Sequence, residues 1–576
     1  MAILGMALLQ VIGIASILPF MQLVAEPEVM AENSLLKWGY DQFEFESTRS
    51  MLIASGFVVL GLIAIGNGFS AFTTWLQFKY AWEIAHNLST RLLRNYLSRP
   101  YSFFLKHNTS DLLNKTLVEV SYFTRGVLVP IIDLAARSLI VLVIFALLVW
   151  ADPKLAVIVS GVLGIAYLII FMSTRSLLGR LGEERIKANE GLFRSLTEAL
   201  TGIKTIRVYN AEALFYKRFK RASARRIKIH PRVNLVSTAP RFLVEVLAFG
   251  SILSITLYLL IKGGDLKSLL PMLSLYALAG YRLLPALQNA FKSAANLKHS
   301  FPTVDRICQD LGRDSLPQLE DQNYIPEITL KPFSQDITME NIRFKYEGTD
   351  QTTIDNLNVR IEKGTTVAFV GATGSGKTTL VNLIVGLFLP REGALKIDGV
   401  KITESNVRAW NRQIGYVPQD VFMFDDTIAR NIAIGFDDEE IDMNRIEEVA
   451  RLANIHDFIF EELPDRYQNV IGDRGVRLSG GQKQRLGLAR ALYGKPEVLI
   501  LDEATSALDN ITENAVIESL KEATNSLTVI IIAHRLSTVK HADCIYLLKD
   551  GKIIAEGPYE TLLDTSEIFR EMVQLS

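Results

Sequence analysis

The segment Gly371-Ala-Thr-Gly-Ser-Gly-Lys-Thr378 decides the fold of the second half of the chain. An apolar run at 366–370 precedes it and predicts a buried β-strand, and a helical pattern begins near Thr378. Between a strand and a helix, the spacing G-x-x-x-x-G-K-T is typical of the P-loop. Its glycines let backbone N–H groups approach phosphates, and the helix N-terminus adds its positive dipole end. The segment therefore predicts an α/β P-loop NTPase domain.

Two side chains of this loop have distinct predicted roles. Lys377 is expected to reach the β- and γ-phosphates of ATP, and the Thr378 hydroxyl is expected to bind Mg²⁺. The predicted nucleotide-binding residues of the segment are Gly371, Thr373, Gly374, Ser375, Gly376, Lys377, Thr378 and Thr379.

A second apolar strand, at 498–501, ends in Asp502 and Glu503. An aspartate at the carboxyl end of a buried parallel strand beside the P-loop is the expected second ligand of Mg²⁺. Asp502 is also able to cap a following helix. Glu503 is placed to polarise a water for attack on the γ-phosphate. A third apolar strand, at 528–533, alternates with helical stretches, and this alternation predicts a parallel sheet with crossover helices.

The first half of the chain is apolar in long runs. Of the 576 residues 49% are hydrophobic and 21% charged, but residues 51–78 carry no charged side chain. A membrane-spanning helix needs about 20 apolar residues. The sequence therefore predicts a membrane all-α domain with six spans, at about 3–24, 52–77, 127–150, 154–173, 242–261 and 268–291. The first run lacks the features of a cleavable signal peptide. The chain opens inside this run, which leaves open whether its start is truncated.

Charge asymmetry predicts the orientation in the membrane. Residues 25–50 hold two basic residues against six acidic ones, whereas residues 173–241 hold sixteen Lys and Arg against five Asp and Glu. Positive residues stay inside, so 25–50 is expected outside and 173–241 in the cytoplasm. The cytoplasmic segments 79–125 and 174–240 each contain a break with capping residues, at 108–111 and 209–212. Either a short transverse helix or a plain loop is expected at each break.

Composition excludes other classes of protein. The net charge of -1 gives no support to a nucleic-acid binder held by bulk electrostatics. Cys308 and Cys544 are the two cysteines and lie far apart, which excludes a disulfide framework. The apolar content excludes intrinsic disorder.

The stretch Leu478-Ser-Gly-Gly-Gln482, twenty residues ahead of Val498, resembles the signature motif of ATP-binding cassette transporters. The resemblance implies that Tyr346 stacks on adenine, that Gln419 contacts Mg²⁺ and the attacking water, and that His534 donates to the γ-phosphate. It further implies that the signature faces the nucleotide of a second cassette, so a homodimer is expected. The residues assigned to that shared site are Ser479, Gly480, Gly481, Gln482 and Asp509.

The resemblance covers nearly the whole chain, which is similar to an exporter half-transporter. It implies a transmembrane domain at 1–305, a linker at 306–335 and a cassette at 336–576, with ATP and Mg²⁺ as cofactors. The breaks near 108–115 and 210–217 then resemble coupling helices, and a bacterial inner-membrane location with the cassette in the cytoplasm is expected. Asp473 stands where such exporters commonly carry glutamate, and no peptidase domain is expected ahead of the first span.

Ionisable residues within the spans are the sequence clue to the substrate, because such groups are costly in a membrane and are usually functional. They are Asp133, Arg137, Arg241, Glu245 and Arg282. Asp133 with Arg137 and Arg241 with Glu245 are spaced i,i+4, so these four either pair with each other or share a substrate-binding layer. Arg282 has no partner in its own span and is the strongest candidate for an anionic headgroup.

The segments Pro240-Arg-Phe-Leu-Val-Glu245 and Ala279-Gly-Tyr-Arg-Leu-Leu-Pro285 resemble parts of the bacterial flippases of lipid-linked oligosaccharides, and residues 35–43 resemble their short external helix. The resemblance implies that Arg282, Arg241 and Arg137 bind a lipid pyrophosphate. The alternatives left open are an exporter of lipid, drug or peptide and an ATP-gated channel. In each case membrane lipids and an amphipathic substrate, and no nucleic acid, are the expected partners.

Overall fold

The computed structural model describes residues 2–17, 20–21, 24, 48–151, 153–261, 266–311, 330–472, 475–502, 527–533 and 539–575. The chain divides into two compact units. Unit 1 comprises Met1–Arg99 and Lys106–Pro317, and unit 2 comprises Pro100–Leu105 and Gln318–Ser576. The linker predicted at 306–335 begins as helix, because the last helix of unit 1 continues to Leu311, and residues 312–329 lie outside the described residues.

Unit 1 is helical. Its α-helices, with α3 spanning the boundary to unit 2, are α1 (Ala2–Ala15), α2 (Thr48–Ser98), α3 (Tyr101–Lys106), α4 (Thr109–Leu113), α5 (Val120–Phe123), α6 (Val129–Ala151), α7 (Pro153–Thr201), α8 (Ile203–Val208), α9 (Glu212–Ile261) and α10 (Leu266–Leu311). Two π-helical segments, π1 (Asn114–Glu119) and π2 (Thr124–Leu128), join α4 to α5 and α5 to α6.

The predicted spans coincide with helices α1, α2, α6, α7, α9 and α10, apart from the end of the first span, where the structure describes only part of the chain. Within the described residues, three helices are long and apolar enough to cross a membrane: Arg49–Ser98, Thr109–Trp150 and Gly164–Thr201. A shorter apolar helix covers Ala2–Gly13. On α6 the residues at every fourth position, Ala136, Ile140, Ile144 and Leu148, are buried, whereas Trp150 is 78% exposed. One face of α6 therefore packs inside the unit.

Both predicted breaks exist, and a short helix, α4, begins at the first of them. Asn108 caps α4 through its Oδ1, which accepts from the Ser110 N–H at 2.9 Å, and Asn210 adopts a φ of +50° between α8 and α9. The prediction of a short helix at 210–217 is wrong, because Glu212 starts the 50-residue helix α9 instead. Two further short helices lie ahead of the breaks: α3 before the first, and α8, which follows Gly202, before the second.

Unit 2 is an α/β domain. Its strands are β1 (Asp336–Phe344), β2 (Ile354–Glu362), β3 (Thr366–Gly371), β4 (Glu392–Ile397), β5 (Val400–Lys401), β6 (Ile414–Val417), β7 (Val498–Asp502), β8 (Thr528–Ile532), β9 (Cys544–Lys549) and β10 (Lys552–Gly557). Its helices are α11 (Lys377–Ile384), α12 (Val407–Asn411), α13 (Ile428–Ile432), α14 (Met443–Leu452), α15 (Gly480–Tyr493), α16 (Tyr559–Thr565) and α17 (Glu567–Leu575).

The strands form two sheets. The larger has the order β10-β9-β3-β8-β7-β6, in which β9, β3, β8, β7 and β6 run parallel to one another, as the alternation of strands and helices predicts. The edge strand β10 pairs with β9 in the antiparallel sense. Alternate residues of β3 enter two cores: Val367 and Phe369 pack on the side of α11 and α12, and Ala368 and Val370 on the side of α13 to α15. Burial of each of the three larger side chains, Val367, Phe369 and Val370, contributes about 1.5–3 kcal/mol.

The smaller sheet, of order β2-β1-β4-β5, is antiparallel and was not predicted. It shares the core on the α11 side, to which Ile337, Met339, Leu357 and Leu395 contribute. Together the two sheets and their helices hold the carboxyl ends of β3, β8 and β7 side by side.

Candidate functional site

The predicted P-loop lies between β3 and α11. Lys377, the first residue of α11, is 5% exposed, and its Nζ donates to the carbonyl oxygens of Gly371 at 2.7 Å and Ala372 at 3.1 Å. The loop therefore curls around this ammonium group. A cation held by the carbonyls of its own loop is able to exchange them for phosphate oxygens.

The loop backbone fits a phosphate chain. Gly376 has a φ of +104°, and a Cβ there would lie 2.9 Å from Ile354 Cδ1, so a side chain is excluded by conformation and by space. Gly374 has a φ of +85°, and a Cβ there would meet no atom of the described chain within 4 Å. The Ser375 hydroxyl is buried with no hydrogen-bond partner among the described residues. The loop thus offers an open face lined by an unused polar group.

Asp502 ends β7, and the strand β8 separates it from β3. The register aligns Asp502 with Ile532 and Ile532 with Phe369, so the carboxylate lies at the same edge of the sheet as the phosphate loop. Asp502 is 5% exposed, and the Tyr416 hydroxyl donates to its Oδ2 at 3.3 Å. Burial, and then the charge of Asp502, raises the pKa of Tyr416, which keeps this donor protonated.

Sequence reasoning missed Tyr416. Its position in the apolar strand just before Gln419 was the one indication in the sequence. The hydrogen bond to Asp502 depends on the pairing of β6 with β7, which a sequence pattern does not specify.

Tyr346 lies just after β1 and is half-buried. Its hydroxyl is 2.9 Å from the Thr379 hydroxyl, and its ring packs edge-on against Phe344 and Phe388 at centroid distances of 5.2 and 5.5 Å. This packing fixes the ring beside α11. The ring therefore belongs partly to the core, and stacking on adenine stays a prediction.

Ser479 and Gln482 form a capping box at the start of α15. The Ser479 hydroxyl accepts from the Gln482 N–H at 3.2 Å, and Gln482 Oε1 accepts from the Ser479 N–H at 2.7 Å. Gly480 and Gly481 form the first turn of this 14-residue helix. A capped helix N-terminus attracts anions, which is consistent with the predicted contact to a second nucleotide.

Other predicted site residues are exposed or fall outside the described residues. Gln419 is exposed two residues after β6, Thr378 is exposed on α11, and Thr373 is exposed in the loop. Glu503, Asp509 and His534 lie outside the described residues, as does Asp473. Among the described residues there is no group of three or more His, Cys, Asp or Glu able to hold a metal ion. The predicted Mg²⁺ ligands Thr378, Gln419 and Asp502 include a single carboxylate, typical of a metal bound mainly through substrate phosphates.

In unit 1 both i,i+4 pairs are formed. Arg137 Nε lies 3.1 Å from Asp133 Oδ1, and Arg241 Nε lies 2.7 Å from Glu245 Oε1. Asp133 also accepts from the Ser293 hydroxyl at 2.9 Å. Arg282 lies on α10, and its side chain is outside the described residues.

Arg241 also lines a cavity of about 130 Å³ between α7, α9 and α10. The lining side chains are polar for the most part: Tyr167, Ser237, Thr238, Pro240, Arg241, Gln288, Asn289, Phe291 and Lys292. Lys292 was missed by sequence reasoning because it follows the predicted end of the last span. The structure brings these two cations to the same cavity.

A phosphate loop and a buried aspartate at one edge of a parallel sheet, on a chain whose other unit carries apolar helices of membrane-spanning length, define a membrane-anchored P-loop ATPase. The family model described as ABC transporter matches residues 354–506, and that described as ABC transporter transmembrane region matches residues 11–280. The chain belongs to the ABC transporters, as a half-transporter of the exporter type and an ATP-driven transport ATPase. The predicted family is thereby confirmed.

Relatives and a solved structure agree with this assignment. The leukotoxin translocation ATP-binding protein LktB of Mannheimia glucosida is 31% identical over 530 residues, which cover 90% of this chain and 72% of that protein. The protein of the same name from Mannheimia haemolytica has the same identity and coverage. A bacterial Atm1-family ABC exporter with ATP bound has a TM-score of 0.81 at 22% identity, covering 100% of this chain and 98% of that one, which shows a shared fold.

Proposed function

We propose that two copies of this chain form an exporter that uses ATP hydrolysis to move an amphipathic substrate outward across a bacterial inner membrane, with the cassettes in the cytoplasm. The observation that supports it best is the phosphate loop after β3, beside β8 and within one strand of Asp502 on β7. We keep the domain boundaries predicted from the sequence: residues 1–305 form the transmembrane domain, 306–335 the linker and 336–576 the cassette.

ATP and Mg²⁺ fit the residues present. The loop 371–376 would wrap the phosphates, Lys377 would exchange its carbonyl acceptors for phosphate oxygens, and Tyr346 would support the base. Thr378, Gln419 and Asp502 would hold Mg²⁺, which when bound neutralises charge on the phosphate oxygens.

The proposed chemistry uses groups at the ends of adjacent strands. Glu503 directly follows Asp502 in sequence and would accept a proton from the attacking water. Gln419 would orient that water, and His534, which follows Ala533 at the end of β8, would donate to the γ-phosphate.

A dimer is required because the signature helix α15 offers its capped N-terminus to the nucleotide of the other copy. The Ser479–Gln482 capping box orders that terminus. Asp509, which follows Glu503 in the sequence, would also contribute. The short helix α3 is our candidate coupling helix, because Pro100–Leu105 groups with unit 2 and the Tyr101 ring packs 5.7 Å from Phe388.

For the substrate we propose a lipid with an anionic, pyrophosphate-type headgroup. Two cations, Arg241 and Lys292, line one cavity with hydroxyl and amide groups, a set of donors suited to phosphate oxygens. Arg282 extends the proposed site along α10. Arg137 and Arg241 each pair with a carboxylate four residues away. Arg137 is the weakest of the three predicted arginines, because its partner Asp133 is also fixed by Ser293 and because the cavity is lined by Arg241 and not by Arg137.

Export of a protein or peptide is the second candidate. It is favoured by the name of the relatives, which are leukotoxin translocation proteins, at 31% identity over 90% of this chain. A channel gated by ATP is the third.

Reconstitution separates these candidates. Vesicles carrying the full chain should move a fluorescent lipid pyrophosphate between leaflets only with ATP and Mg²⁺, and the Glu503→Gln variant should not. Arg241→Ala and Lys292→Ala should each lower lipid movement at least about tenfold with ATP hydrolysis retained. Arg232→Ala, an exposed arginine on the same helix α9, is the matched control. Unchanged lipid movement in both cavity variants would contradict the headgroup proposal, and flux without hydrolysis would favour the channel.

A further inference from the structure

The cavity between α7, α9 and α10 contains one hydrogen-bonding group that the fold leaves unused. Tyr167, on α7, lines this cavity and is 9% exposed. Its hydroxyl is buried without a hydrogen-bond partner among the described residues. Of the nine residues that line the cavity, Tyr167 is the one with a buried side-chain polar atom in this condition. A buried polar atom without a partner raises the free energy of the fold, so its presence needs a reason.

The packing of its ring prevents Tyr167 from turning towards another acceptor. The Tyr167 ring centre lies 5.7 Å from that of Phe291, which is 6% exposed, and Phe171 packs edge-on against the same Phe291 ring at 6.2 Å. The phenolic oxygen lies on the axis of its ring, so a fixed ring fixes the oxygen, and only the hydroxyl hydrogen rotates. The hydroxyl is therefore held in place as a donor for a group inside the cavity.

The other two hydroxyl groups of the cavity are already used as donors. Ser237 Oγ donates to the Val233 carbonyl oxygen at 2.8 Å, and Thr238 Oγ1 donates to the Asn234 carbonyl oxygen at 2.7 Å, both within α9. Each hydroxyl carries a single hydrogen, so neither keeps one for a ligand. Tyr167 is thus the hydroxyl of this cavity that is able to donate to a bound group.

The charged side chains at the cavity leave one positive charge uncompensated. Glu245 Oε1 accepts from Arg241 Nε at 2.7 Å, so this pair is neutral as a whole. Lys292 has no carboxylate partner within the described ranges of the chain. The side-chain amides of Gln288 and Asn289 add neutral donors. The lining therefore fits a group with a single negative charge and several oxygen acceptors.

The size of the cavity limits what it holds. Its volume of about 130 Å³ corresponds to a few water molecules, each of which takes about 30 Å³ in the liquid. A single phosphate group is of this size. A headgroup that also carries sugars is too large, so the remainder of an amphipathic molecule would lie outside the cavity.

We propose that this cavity is a subsite for one phosphate group with a single negative charge, and that Tyr167 is its specificity-determining residue. The Tyr167 hydroxyl donates to one phosphate oxygen, Lys292 neutralises the charge, and the Nη groups of Arg241 donate to a second oxygen. A pyrophosphate substituted at both ends carries one ionised oxygen on each phosphorus, so each of its phosphate groups has this charge. The inference rests on the proposed function, because it takes an anionic lipid headgroup as the occupant.

The first test is Tyr167→Phe in the full chain, which removes the hydroxyl and keeps the ring. Its affinity for a fluorescent lipid with a phosphodiester headgroup, measured by fluorescence anisotropy in detergent micelles, should fall at least about tenfold. Its melting temperature without lipid should stay the same or rise, because the variant no longer buries an unpaired hydroxyl. Tyr80→Phe, at a 60% exposed tyrosine on α2, is the matched control and should change neither quantity.

The possible failures of this test are distinguishable. Unchanged lipid affinity in Tyr167→Phe overturns the role of Tyr167 and leaves the proposed function standing. A melting temperature that falls together with the affinity makes the hydroxyl a structural group and overturns the same role. A wild-type chain that hydrolyses ATP but binds neither the phosphodiester lipid nor the lipid pyrophosphate overturns the proposed substrate and this inference together.

The second test concerns the charge of the bound group. Two fluorescent lipids with the same chains are compared at pH 8, a phosphodiester with one negative charge and a phosphomonoester with about two. The wild type should favour the diester, because the second charge of the monoester would be buried unpaired. Glu245→Gln, which leaves Arg241 without its counter-charge, should shift the preference towards the monoester at least about tenfold, and Lys292→Gln should weaken binding of both lipids. An unchanged preference in Glu245→Gln overturns the single-charge subsite.

Discussion

Two buried cations, one in each unit, differ in where their partners come from. Lys377 donates to carbonyl groups five and six residues earlier, within its own loop. Arg185 donates to side chains 66 and 118 residues away, on two other helices. A cation surrounded by its own loop leaves the fold intact when a ligand replaces its contacts. A cation tied to remote helices holds the fold together, and its contacts change only if those helices move.

The largest effect expected is at Lys377, and it should fall on catalysis. Lys377→Ala should lower ATP hydrolysis by about 10²–10³-fold, because a preorganised cation at the phosphates is lost, with little change in melting temperature. Steady-state hydrolysis and thermal melting of the purified chain measure both. Lys396→Ala, which removes a surface pair with Glu340, is the control and should change neither. A large fall in melting temperature for Lys377→Ala would remove the contrast with Arg185.

The next largest effect is a pH dependence of stability caused by His299, which lies near Arg185. His299 is 8% exposed, and burial, followed by the charge of Arg185, lowers the pKa of His299 to about 4. Between pH 6.5 and 4 the unfolded chain binds a proton that the folded chain does not, so stability should fall as pH falls through this window and stay constant above it. The expected loss is about 3 kcal/mol over the whole window.

Thermal melting from pH 7.5 to 4.5 measures this loss, with His299→Gln as the comparison. The variant should show a flatter profile. Equal slopes for variant and wild type would mean that other groups cause the pH dependence.

A smaller effect is expected at Ser479, where a cap and a proposed ligand contact coincide. Ser479→Ala should cost about 1 kcal/mol of stability through the lost cap. Ser479→Asp keeps a capping oxygen but adds negative charge where a second nucleotide would bind, so it should retain stability and lose ATP hydrolysis. ATP hydrolysis at the wild-type rate in Ser479→Asp would show that Ser479 only caps the helix and does not contact a second nucleotide.

The smallest effect is expected at Tyr346. Tyr346→Phe removes the hydrogen bond to Thr379 but keeps the ring, so the KM for ATP should change by no more than about twofold. Tyr346→Leu removes the ring and should raise KM further if the ring supports adenine. Equal KM values for the two variants would assign Tyr346 to the core with Phe344 and Phe388.

The contrast between local and remote contacts also separates the features that the sequence predicts from those that it does not. The P-loop was predicted with its strand and helix because its residues are consecutive, and the structure has β3 at Thr366–Gly371 and α11 at Lys377–Ile384. Membrane helices were predicted because apolar runs of sufficient length are local properties. The i,i+4 pair of Arg241 and Glu245 was foreseen for the same reason.

Features that depend on remote contacts were missed. The link between Glu119 and Arg185 joins two charges that each look like ordinary members of the segments predicted to be cytoplasmic. Pairing of β6 with β7, which brings Tyr416 to Asp502, is likewise set by the whole sheet. The cavity beside Arg241 needed the packing of three helices before Lys292 was recognised as part of it.

The grouping of Pro100–Leu105 with unit 2 has a practical consequence for work with fragments. A cassette expressed alone from residue 330 would lack these six residues, and the Phe388 ring would lose the Tyr101 ring that packs against it. An uncovered aromatic face favours self-association. The isolated cassette should therefore aggregate more readily than the same cassette with residues 100–106 supplied. A synthetic peptide of residues 100–106 added in trans should improve its solubility.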